Sequence, residues 1–134
     1  MLLLSPDEKA WIGKWLLKAE ADLRRAHQMA QSPADYDAAA FFCQQAVEKY
    51  LKARLLSLGI IASRTHDLEK LQNQLEAVEA FSWEEKEQAR LLTPYAVIYR
   101  YPQDDEDEIP IDRLLLTAEH FQQRMTAAVT PLLR

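Results

Sequence analysis

The chain reads as all-α, an antiparallel up-and-down four-helix bundle whose third helix is broken in two. Three observations point there. Only two glycines, Gly13 and Gly59, occur among 134 residues. The stretches between the prolines are rich in Ala, Leu, Glu, Gln, Lys and Arg, the strong helix formers. Apolar residues recur at three- and four-residue steps, and no period-two alternation competes with them. With 49% apolar residues, a chain of this length can bury a core as one domain over 1–134 without disulfides or metal.

Ser5-Pro6-Asp7-Glu8 predicts the first helix start: a serine cap, a proline at the first helical position and a glutamate three residues after the cap satisfy the orphan amides. Its apolar stripe runs through Ile12, Leu16, Ala19, Leu23 and Ala26 until Ser32-Pro33 stops it. The second helix starts near Asp35, carries Ala39, Cys43, Ala46, Val47, Tyr50 and Leu51 on one broad face, and ends at Gly59 as a left-handed cap. Gln44, Gln45, Glu48, Lys49 and Lys52 fall on or beside its other face, which reads as solvated. Thr65 is placed as the cap of a shorter helix through Leu68, Leu71, Leu75 and Val78, and Ser82-Trp83-Glu84-Glu85 is a second capping box. Pro94 restarts the backbone at Thr93, 103–110 reads as a charged loop, and Pro110 opens the last helix with Ile111, Leu114, Ala118, Phe121, Met125 and Val129.

Composition narrows the chemistry. Cys43 is alone and sits on an apolar helical pattern, which suits core filling and a reducing compartment. The opening ten residues lack a basic flank and a long enough apolar run for a signal sequence, and no run approaches a membrane span, so a cytoplasmic protein without membrane contact is expected. The net charge of −5 comes from one block, Asp104 to Glu108, whose removal leaves 16 basic and 16 acidic residues. No global positive field exists to attract long nucleic acid without regard to sequence. A glycine-rich phosphate loop, paired cysteines and HExxH are all missing, and His27, His66 and His120 lack metal-ligand spacing, so neither cofactor nor metal is expected.

Three polar clusters remain. Gln45, Glu48, Lys49 and Lys52 share a helical face, either as a solvated surface with a Glu48–Lys52 pair or as phosphate ligands. Thr65-His66-Asp67 places an imidazole beside a helix start, either as part of a cap or facing a ligand. Tyr95, Tyr99, Arg100, Tyr101 and Pro102 gather aromatic rings around one guanidinium. A guanidinium fork suits phosphate and aromatic faces suit bases, although Arg100 could equally pair with Asp104 or Asp105.

QQAVEKYLKA from Gln44 to Ala53, then THDL, then YRYP, in this order and at this separation, resembles the HEPN domain family over nearly the whole chain. The resemblance implies a helical bundle, homodimers, pairing with a small nucleotidyltransferase in toxin–antitoxin systems and, in many members, metal-independent RNA cleavage. RNA-cleaving members carry an arginine followed after four to six residues by a histidine. Here Arg100 is followed by Tyr101, Pro102 and acids, which argues against nuclease activity. Arg113 and His120 meet that spacing formally, but Leu114 stands where a polar residue usually follows the arginine, and the sequence alone reads the pair as coincidence.

The resulting expectation is a dimeric module that binds a nucleotide or RNA, or partners a nucleotidyltransferase, without catalytic residues of its own. Arg100, Tyr101 and Tyr95 form its recognition cluster, with Lys49, Lys52 and His66 as second contributors. A metal-independent endoribonuclease toxin and a non-enzymatic dimeric scaffold are the alternatives. Where relatives carry a modified tyrosine, Tyr99 or Tyr101 corresponds.

Overall fold

The structure, a computed structural model, describes residues 3–97 and 108–134. Among them are five α-helices and no strand: α1 (Pro6–Met29), α2 (Tyr36–Ser57), α3 (Leu68–Leu75), α4 (Trp83–Leu92) and α5 (Ile111–Val129). Short 3-10 turns cover Pro33–Asp35, Thr93–Ala96 and Thr130–Leu133. No described helix is long and apolar enough to cross a membrane.

Both capping boxes form. Ser5 Oγ accepts from the Glu8 amide at 3.1 Å while Glu8 returns a bond to the Ser5 amide at 3.0 Å. Ser82 and Glu85 repeat the arrangement at 3.0 and 2.9 Å. Gly59 follows α2 with φ 72°, the left-handed conformation in which a Cβ is strained. Pro94 cannot donate to the α4 ladder, and α4 gives way to the 3-10 turn from Thr93.

The start of α3 differs from the sequence expectation. Asp67, rather than Thr65, caps it by accepting from the Glu69 and Lys70 amides. Thr65 Oγ1 instead accepts from the Asp67 amide at 3.0 Å, fixing the turn that presents the cap. The helix also ends at Leu75, which leaves Val78 outside it and exposed.

α2 is the central element, packed chiefly against α1 and α5 and also against α3. The expected stripes supply the core, with Ile12, Leu51, Leu55, Leu71 and Phe121 all essentially inaccessible. Cys43 lies wholly inside, and burial pushes its thiol up to about 12, so it is core filler with no thiolate to react. Because α2 is covered on several sides, its polar face is not solvated as expected: Gln44 is fully buried and Glu48 is only 6% exposed. Buried polar groups need partners, and here they come from the loop that crosses α2 before α3.

Candidate functional site

Two polar centres flank the core. The first joins α2 to the loop preceding α3. Glu48 Oε1 accepts from His66 Nδ1 at 2.8 Å and Glu48 Oε2 from Lys52 Nζ at 3.0 Å, while Gln44 Nε2 donates to the His66 carbonyl at 2.8 Å. Burial alone would raise the Glu48 carboxyl, but the hydrogen bonds and charges of His66 and Lys52 outweigh it and hold the group below its ordinary value. At the position after Glu48, Lys49 is paired with Asp22 of α1, which also receives Arg25 at 3.1 Å. Both ammonium groups nominated for phosphate are therefore already matched to carboxylates within the fold, and the His66 ring holds a loop in place.

The second centre lies between α4 and α5. An open cleft of about 420 Å³ is lined by Trp83, Glu84, Glu87, Gln88 and Leu91 from α4 and by Arg113, Leu116 and His120 from α5. A smaller cavity of about 170 Å³ continues from it past Gln88, Leu91 and Arg113 to Tyr95 and Pro110. Arg113 and His120 are seven positions apart, two helical turns, which puts both side chains on the same side of α5. Arg113 has no ion-pair partner among the described residues, and the buried amide oxygen of Gln88 accepts no hydrogen bond among them. Glu87 is occupied by Arg90.

His120 is held from behind. Its Nε2 donates to Glu85 Oε2 at 2.8 Å, and because an ionised carboxylate only accepts, the neutral ring would keep Nδ1 free as an acceptor. Glu85 Oε1 also receives Arg124 at 2.5 Å. Burial would raise the Glu85 carboxyl, yet hydrogen bonds from Arg124, the Ser82 amide and His120, with the Arg124 charge, bring it down to about 2. Arg124 further donates to Glu79 at 3.1 Å and to the Ala80 carbonyl at 2.6 Å, and lies 4.3 Å over the Phe81 ring. Arg54 of α2 closes the network on Glu79 at 2.8 Å. All three nitrogens of Arg124 donate within the protein, so it braces Glu85 and, through it, His120.

The sequence-nominated residues divide accordingly. Lys49, Lys52 and His66 gather at the α2 centre. Tyr95 borders the smaller cavity, on the side of the chain that leads to residue 98. Arg100 and Tyr101, like Tyr99, lie outside the described residues. Trp83, Gln88 and Glu85 were not nominated: Trp83 is masked by its role as the first residue of a capped helix, and Glu85 by its membership of the capping box. The only sequence signal for the cleft is the spacing of Arg113 and His120. No group of three or more His, Cys, Asp or Glu suited to a metal occurs among the described residues.

Comparison with known proteins places this arrangement. The chain is similar to a crystal structure of an archaeal HEPN homologue, with TM-score 0.69 and 24% identity over 88% of this chain and 97% of the other. It is also similar to a crystal structure of a protein from Thermus thermophilus, with TM-score 0.64 and 29% identity over 90% and 97%. No match was found among curated proteins. The HEPN domain family matches residues 12–126, a span that takes in both polar centres and most of all five helices. The chain belongs to the HEPN domain family.

Proposed function

We propose that this HEPN-domain protein is a nucleotide- or RNA-binding module that receives a phosphate-bearing ligand in the cleft between α4 and α5, without catalysis of its own. One observation carries the proposal: Arg113, unpaired among the described residues, and His120 line one open cleft together with an exposed tryptophan. An unmatched guanidinium beside an imidazole and an aromatic face offers a phosphate fork, a second hydrogen-bonding group and a stacking surface. Lys49 and Lys52 offer less, because a ligand would first have to displace Asp22 or Glu48. Arg100 and Tyr101 remain candidates for the far side of the site, since Tyr95 and Pro110, which border the smaller cavity, stand close in sequence to the segment that carries them.

Titrating a nucleoside monophosphate and a short single-stranded RNA against wild type, Arg113→Ala and Arg100→Ala tests this. Arg113→Ala is expected to weaken binding about tenfold or more, the worth of a charge-assisted hydrogen bond. Equal binding by wild type and Arg113→Ala removes the cleft as the site.

A second function, metal-independent RNA cleavage, is favoured by the same placement of Arg113 and His120, since a guanidinium can hold a phosphodiester while an imidazole moves a proton. It requires RNA to be cut in the presence of EDTA by wild type and not by His120→Ala. Intact RNA in both samples leaves binding as the function.

The family supports two further proposals: the protein acts as a homodimer, and it pairs with a small nucleotidyltransferase in a toxin–antitoxin-like couple. Copurification on co-expression, with and without nucleotide, tests the pairing and separates it from a plain dimeric scaffold. Within the bundle, we take α3 and α4 to be two halves of one broken third helix in an up-and-down arrangement, a view supported by the contacts between them.

A further inference from the structure

Trp83 is an unusual residue to find where it stands. It is the first residue of α4 and 79% exposed, although the core is only a helix away and a tryptophan gains more from burial than almost any other side chain. Its backbone is held firmly, because the Ser82–Glu85 capping box closes on either side of it and Glu85 is itself locked by Arg124. The ring therefore stands over the cleft on a rigid mount. Leu116 of α5, 66% exposed, lines the same cleft, as does Leu91.

We propose that Trp83 is the base-recognition residue of this chain: one unpaired nucleobase stacks on its indole while the attached phosphate meets Arg113 and His120. This inference rests on the binding function proposed above and specifies its ligand class. Three features favour a base over a protein segment. The surface is a concave cleft of about 420 Å³, inside the roughly 300–1,000 Å³ range of small-molecule sites. Its apolar part adjoins a lone guanidinium and an imidazole, the pairing of base face and phosphate that a nucleotide presents. Gln88, whose amide oxygen accepts no hydrogen bond among the described residues, also lines the cleft.

The charge of the site also limits the ligand. Arg113 shares the cleft with Glu84, for which no ion pair is formed among the described residues, while Glu87 is paired with Arg90. One free guanidinium against one free carboxylate suits a single phosphate, as in a nucleoside monophosphate or a single-stranded link, better than a triphosphate. Stacking on one indole needs a base with a free face, which a base within a duplex lacks. Every base has a π face, so little discrimination among the four is expected.

The test uses the full chain and four nucleoside monophosphates, with ribose 5-phosphate as a probe that has the phosphate and no base. Trp83→Ala is expected to weaken monophosphate binding by about 5- to 150-fold, the range for loss of one stacked base. Trp83→Phe should keep most of the affinity, and ribose 5-phosphate should bind wild type and Trp83→Ala alike. In a Trp11→Phe, Trp15→Phe background, where Trp83 is the remaining tryptophan, the monophosphates should quench its fluorescence and ribose 5-phosphate should not. Unchanged affinity in Trp83→Ala together with loss in Arg113→Ala would overturn the stacking role and leave the cleft as a phosphate site, with Trp83, Leu91 and Leu116 then marking a protein-docking face. Unchanged affinity in both variants would remove the α4–α5 cleft as the binding site altogether.

Discussion

Glu85 does three things with one carboxylate. It completes the α4 cap, anchors Arg124 and fixes the His120 ring. Its carboxyl is held at about 2 against an ordinary 4.5, so its ionised form stabilises the folded chain at neutral pH. Since the folded value lies below the unfolded one, that stability is present above about pH 4.5 and is lost as the pH falls towards 2. Glu85→Gln is therefore expected to unfold at lower denaturant concentration than wild type at pH 7, and the gap should narrow in acid. Denaturant unfolding at pH 7 and pH 3 measures this, and a gap that stays constant would mean that the carboxylate contributes no charge-dependent stability. Glu48, held below its ordinary value because the bonds and charges of His66 and Lys52 outweigh its burial, also loses its contribution in acid. Residue by residue, the sequence showed the pairs that are local, such as Glu48 with Lys52 and Ser82 with Glu85. It concealed those that need the fold, such as Glu48 with His66, 18 positions apart, and Glu85 with Arg124, 39 positions apart.

The helices were legible because their signals are local: capping boxes at Ser5 and Ser82, prolines at Pro6, Pro94 and Pro110, and the left-handed Gly59. Gly59→Ala should cost about 1–3 kcal/mol, since a Cβ at φ 72° is strained whatever space surrounds it. Chemical denaturation of this variant measures it, and a loss no greater than that of Gly13→Ala, at a half-buried helical position where nothing crowds an added Cβ, would contradict the role given to Gly59. Two element-level expectations failed for one physical reason. Thr65 and Asp67 can both cap, and only the path of the loop over α2 decides that Asp67 does. The second face of α2 has the composition of a solvated surface, yet α2 is the helix that the others cover, so Gln44 and Glu48 are buried and satisfied by the loop at His66. Periodicity reports which face is apolar, and it does not report how many neighbours a helix will have.

At the scale of the molecule, the all-α class followed from composition and pattern, whereas the site depends on how α4 and α5 lie together. Arg113 and His120 belong to one helix, and their spacing was visible. Trp83, Gln88 and Glu85 come from another, and nothing in a linear reading sets them opposite. The aromatic cluster around Arg100 was visible for the opposite reason, since it is contiguous in sequence. The central claim is that a nucleotide enters the α4–α5 cleft rather than the lysine-bearing face of α2. Its most direct measurement is nuclear magnetic resonance mapping of a nucleoside monophosphate titrated into the ¹⁵N-labelled protein. The claim expects the largest shifts at the Trp83 indole, Gln88, Arg113, Thr117 and His120, with Lys49 and Lys52 unmoved. Shifts confined to the α2 face around Lys49, Lys52 and His66, or none at all at millimolar ligand, would contradict it.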